Sequence, residues 1–168
     1  MIRRGWILGA LFALLPALAQ AVVFVRIEGI PGAATQTPYS GWHRAVSYNW
    51  SLDRSTPEQF KLNLTMEQQG SSVGLIKQAA FNGSSLKSIV IDDSTTLSAG
   101  AALTPISRFT CEEPTIRVFS TAGGSSSPPA FNLQLSCGKV AWEEFEYTTQ
   151  GVLIKSIKGS WNFRTNTP

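Results

Sequence analysis

Apolar and polar residues alternate with a period of two along most of the chain, which is the mark of strands with one buried face. Between residues 23 and 28, Val23, Val25 and Ile27 fall on one side, and Phe24, Arg26 and Glu28 on the other. Over 45–52, the bulky Val46, Tyr48, Trp50 and Leu52 oppose Ala45, Ser47, Asn49 and Ser51. The pattern repeats at 60–66, with Phe60, Leu62, Leu64 and Met66 set against Lys61, Asn63 and Thr65. Further strands are predicted at 86–91, 115–120, 131–137, 140–147, 153–157 and 160–164. Only 72–81 has helical spacing. There Val73, Ile76 and Ala80 form a stripe with Leu75 and Ala79 beside it, Ser71 or Ser72 offers a cap, and Asn82-Gly83 a left-handed stop. The connections at 31–41, 53–58 and 123–129 are short and polar, and no internal repeat divides the chain. The expected fold is mainly β: an antiparallel β-barrel or two-sheet sandwich with one short flanking α-helix, in a single domain over 22–168.

Residues 1–21 depart from this pattern and read as a signal peptide. Arg3 and Arg4 precede an apolar run from 5 to 18 that only Pro16 interrupts. Ala-Leu-Ala at 17–19 and Ala-Gln-Ala at 19–21 place cleavage after residue 19 or 21. The run is shorter than the ~20 residues a membrane span requires, and no later run is longer. The chain is therefore expected to be exported, periplasmic or secreted, with no stable membrane span after cleavage. Loss of Arg3 and Arg4 brings the 14 basic side chains close to balance with the 11 acidic ones. No Lys/Arg cluster remains to track phosphates, so no nucleic-acid partner is expected. A composition of 43% apolar and 15% charged residues belongs to a globular chain rather than a disordered one.

Candidate chemistry is sparse. One histidine excludes any site built from two imidazoles of the same chain. His43 lies between Trp42 and Arg44 with no Gly-x-Ser-x-Gly elbow, and reads as a surface or rim residue. The doublets Asp92-Asp93, Glu112-Glu113 and Glu143-Glu144 point to opposite faces of their strands, so neither member can pair with the other across a cleft. They read as solvated charges. Gly123-Gly124 and the serines after it lack the Lys and the helix of a phosphate loop. Asn63-Leu64-Thr65 matches a glycosylation sequon within a strong strand pattern. Trp42, Trp50, Trp142 and Trp161 could form a sugar-stacking platform, but the company Trp50 keeps with Tyr48 and Leu52 favours core packing for both Tyr48 and Trp50. No catalytic residue, metal ligand or cofactor is expected. Cys111 and Cys137 straddle the 123–129 loop, and export favours a structural disulfide over two free core thiols.

Several segments, taken in order, resemble the haemolysin-coregulated protein (Hcp) family of type VI secretion tubes. Val-Phe-Val-Arg-Ile-Glu-Gly-Ile-Pro-Gly at 23–32 is similar to that family's opening strand and its I-x-G-I-x-G turn. Ser-Gly-Trp at 40–42 with Val-Ser-Tyr-Asn-Trp at 46–50 resembles its second strand. Val-Gly-Leu-Ile-Lys-Gln-Ala-Ala-Phe-Asn-Gly at 73–83 resembles its helix and closing glycine, and the hairpin at 120–124 and the end at 159–166 also fit. The resemblance implies a non-enzymatic protein that forms a hexameric ring with copies of itself. Its rings would stack into a tube whose lumen holds small secreted effectors and which works with other type VI components. It also implies that Asn49, between two aromatics, faces that lumen. Two features depart from the family's pattern: the leader, and a connection over 51–59 too short for the usual ring-contacting extension. The alternative is a periplasmic or secreted monomeric β-domain that binds a ligand or protein; a hydrolase using His43 is a distant third.

Overall fold

The computed structural model describes residues 21–55, 59–97, 101–124 and 127–168. Residues 1–20 of the predicted leader lie outside the described residues. The elements among the described residues are β1 (Val22–Ile27), β2 (His43–Leu52), β3 (Phe60–Glu67), α1 (Val73–Asn82), β4 (Ser88–Thr96), β5 (Leu103–Glu112), β6 (Thr115–Gly124), β7 (Ser127–Ser136), β8 (Lys139–Tyr147) and β9 (Leu153–Asn162). They join in one sheet of order β6-β7-β3-β2-β1-β4-β5-β8-β9, antiparallel throughout. The outer strands β6 and β9 do not pair with each other, so the sheet is not closed into a barrel. It folds over on itself as a sandwich.

The inner face follows from the alternation. On β3 the buried residues are Phe60, Leu62, Leu64 and Met66, and on β7 Phe131, Leu133 and Leu135. Facing them, Val25, Ile27, Ile89, Ile91, Phe109 and Val140 complete one continuous core. The helix α1 lays Val73 and Ile76 on this core and ends at Gly83, whose φ of 63° is the expected left-handed stop. Ser72 is its N-cap residue but makes no side-chain capping bond.

Cys111 and Cys137 are joined by a disulfide, with Cα atoms 5.4 Å apart. The bond sits at the base of the β6–β7 hairpin, but Cys111 belongs to β5, a strand absent from the sequence reading. It closes where the chain leaves β7 in one half of the folded sheet and enters β8 beside β5 in the other. The strands predicted separately at 153–157 and 160–164 are one strand, β9. Gly159 holds it together: a Cβ there would lie 2.2 Å from Cζ2 of Trp142, so only glycine admits the indole of its cross-strand partner. The predicted connection at 123–129 is largely strand, since β6 and β7 stay paired to Gly124 and Ser127.

Candidate functional site

The residue singled out on the second strand, Asn49, owes its position to a β-bulge. Ala45 of β2 pairs with Met66 and Ser47 with Thr65, which leaves Val46 as the extra residue. One added residue exchanges the two faces beyond it. Before the bulge, His43 and Ala45 face the core; after it, Tyr48, Trp50 and Leu52 do, opposite Leu64, Leu62 and Phe60. The unbroken alternation that groups Val46 with Tyr48 is therefore corrected: Val46 is 61% exposed.

Asn49 lies on the other face, exposed, and opens a band of amides and hydroxyls that crosses four strands. Nδ2 of Asn63 donates to Oδ1 of Asn49 at 2.9 Å, and Nε2 of Gln134 donates to Oδ1 of Asn63 at 3.1 Å. One row along, Oγ1 of Thr65 donates to Oδ1 of Asn132 at 2.8 Å, and Nδ2 of Asn132 reaches Oγ of Ser120 at 3.5 Å. The bonds run straight across the strands because cross-strand partners share a face. The side chains of the band are wettable and uncharged, and they offer exchangeable donors and acceptors, with exposed Lys61 beside them on the same face of β3. The sequon residue Asn63 is at its centre.

Tyr48 packs against the core, and its Oη donates to Oδ2 of Asp93 at 2.6 Å. Burial, reinforced by the Asp93 carboxylate, pushes the phenol up to about 12. The core assignment of Trp50 is corrected. Its side chain points to the core side but is 53% exposed, because β2 outruns its neighbour: pairing with β1 ends at Val23 and Ala45. Trp50 therefore stands at the open end of the sandwich, in a cleft of about 320 Å³ that it shares with Trp142 and Trp161. Trp42 is elsewhere, edge-on to Tyr39.

Two further expectations are corrected. His43 is a buried residue, 3% exposed, whose Nε2–H donates to the carbonyl of Ile30 at 3.0 Å. Burial holds its imidazole below the ordinary value, so it stays neutral and satisfied rather than poised for catalysis. Asp92 is fully buried rather than solvated, and takes a bidentate pair of 2.7 Å bonds from Nε and Nη2 of Arg108. The cause is the segment 31–42, which folds over the outer face of β1 and β4. There Phe24 stacks on Tyr39 at 4.1 Å, and the Tyr39 hydroxyl accepts from Ser94. Gly32 permits that fold, since a Cβ would lie 2.2 Å from the carbonyl of Trp42. Asp93 does point the opposite way, to Tyr48 and Ser107, as strand geometry requires. Among the described residues, no group of three or more His, Cys, Asp and Glu side chains could hold a metal ion.

No family model and no curated protein matches this chain. Solved structures do. Hcp1 from Salmonella typhimurium superposes with a TM-score of 0.71 at 17% identity, over 88% of this chain and 97% of its own. A type six secretion system protein gives 0.72 at 16% identity, over 88% and 99%. The secreted protein Hcp3 from Pseudomonas aeruginosa gives 0.64 at 13% identity, over 86% and 97%. The chain has the Hcp fold. In Hcp-fold terms, the I-x-G-I-x-G turn of residues 27–32 leads into the segment that covers Asp92, and the amide band occupies the outer face of β6-β7-β3-β2.

Proposed function

We propose that this protein is a non-enzymatic, exported Hcp-like ring component, whose subunits place the amide band around a lumen that holds small secreted effectors. The observation that carries the reading is the Hcp fold over 88% of the chain, together with a row of uncharged amides, Asn49, Asn63 and Gln134, on the outer face of β2, β3 and β7. A surface of amides and hydroxyls suits a cargo that must be held and released, because it supplies hydrogen bonds without buried charge. Self-association has support of its own. The β8–β9 turn exposes Val152, and the outermost strand that follows it exposes Leu153, Ile154 and Ile157, each by more than half. Clustered exposed apolar residues mark interaction surfaces, and β6 and β9 are different surfaces, as a head-to-tail ring requires.

Export rests on the leader, and the mature chain is taken to begin at residue 20 or 22 as a single domain to 168. Two experiments test the reading. N-terminal sequencing of protein recovered from periplasm or medium should start at one of those residues; intact Met1 on that protein refutes cleavage. Negative-stain images of the purified protein should show six-fold rings with a central hole, and isolated single subunits at high micromolar concentration refute the ring.

A further inference from the structure

The cleft at the open end of the sandwich lies on the side of β2 opposite the amide band, and its floor, ends and size each narrow what fits it. Trp50, Phe60 and Phe109 lie with ring centroids 6.0, 6.3 and 5.8 Å apart in the three pairs, and their planes are inclined by only 26°, 12° and 14°. Three near-parallel rings at nearly equal separations cannot form a column, in which the outer pair would be twice as distant as the inner ones. Phe60 and Phe109, only 5% and 7% exposed, form the packed backing of this cluster, and Phe163 joins it 5.3 Å from Phe60. The open faces are those of Trp50, 53% exposed, and Trp142, 40% exposed, and they take a flat aromatic ring in offset stacking. A sugar is a poorer match, because apart from indole N–H groups the floor side chains are hydrocarbon.

The two ends differ in charge. At one, Tyr48 and Ser107 both donate to the Asp93 carboxylate, and Glu144 stands exposed at the mouth. At the other, exposed Arg54 holds its guanidinium 5.7 Å over the Trp161 ring. Stacking uses the face of the guanidinium and leaves its N–H edges for an anion. Arg108 also lines the cleft, but its guanidinium is held bidentate by Asp92, so an anionic ligand is drawn to Arg54. The volume of about 320 Å³ is at the small end of the range for small-molecule sites.

We infer that this cleft binds a planar aromatic carboxylate, its ring against the exposed faces of Trp50 and Trp142 and its carboxylate on Arg54. The site is complete within one chain and does not depend on ring assembly. Isothermal titration of the full disulfide-bonded protein with 2-naphthoate, 2-naphthamide and 2-naphthylmethylamine tests it. Saturable one-to-one binding is expected, with naphthoate preferred over the amide by about fivefold and the amine weakest. Arg54→Gln, an exposed substitution, should bring naphthoate down to the amide's affinity and leave amide binding in place. Trp50→Ala should weaken both; if that variant fails to fold, Trp142→Ala at the same cleft serves instead. The inference is overturned if naphthoate does not saturate at millimolar concentration, if the three probes bind alike, or if Arg54→Gln leaves the preference intact.

Discussion

Asp92 on β4 and Asn49 and His43 on β2 are polar residues whose surroundings give each a different tolerance of change. Asp92 is fully buried and depends on Arg108, whose side chain is 40% exposed. Removing one partner of a buried pair strands the other charge, so Arg108→Ala should cost about 3 kcal/mol, the low end for such pairs because water can follow the shortened side chain. Asn49→Gln keeps the amide on a solvated face and should cost within about 0.5 kcal/mol. Trp50→Ala gives up stacking on Phe60 and Phe109 from a half-exposed position, and about 1–2 kcal/mol is expected. Urea denaturation of the three variants checks this order; Asn49→Gln unfolding as readily as Arg108→Ala would refute the placement of Asn49 on an open face. His43 adds a pH dependence. Its folded-state pKa lies below the ordinary 6.5, so the unfolded chain binds the proton more readily. The stability it contributes is complete above about pH 6.5 and is lost as pH falls through the depressed folded value. Denaturation midpoints should therefore drop on going from pH 7.5 to 5 in the wild type, and by less in His43→Gln.

Among the elements, β3 and α1 are plain in the sequence because one face of each is covered and the other is not. On β3, Phe60, Leu62, Leu64 and Met66 alternate without a break, and Gly83 ends α1 where it was expected. The surprises have local causes. β2 hides its bulge, since a one-residue insertion leaves no mark beyond an exposed Val46. β5 escaped notice because Phe109 and Cys111, its buried residues, come only near its end, after Pro105 and Arg108. The burial of Asp92 and Phe24 needed the segment 31–42 to be seen folded over the sheet, which no periodicity announces. The disulfide is where a gap in the ladder is bridged: β5 and β7 are not neighbours in the sheet, and Cys111–Cys137 links them across a separation of 26 residues. Loop-closure entropy for that length puts its contribution at roughly 3 kcal/mol. Reduction should lower the denaturation midpoint accordingly, and peptide mapping without reductant should recover the two cysteines joined; free thiols in exported protein would contradict this.

On the scale of the molecule, the polar and apolar faces are divided between two tasks. The inner face closes a core of aliphatic and aromatic side chains, and the outer face of β6-β7-β3-β2 carries the amide band. The aromatic cleft opens at the end of the sandwich, on the core side of β2. Strands β6 and β9 form the two edges of the sheet, each paired on one side only among the described residues, with apolar residues exposed near the start of β9. A single chain has no lumen for Asn49 to line, so the proposed function stands or falls on assembly. Native mass spectrometry of the purified protein across micromolar concentrations tests this most directly. The account predicts a species of six times the single-chain mass; a monomer at every concentration would contradict it.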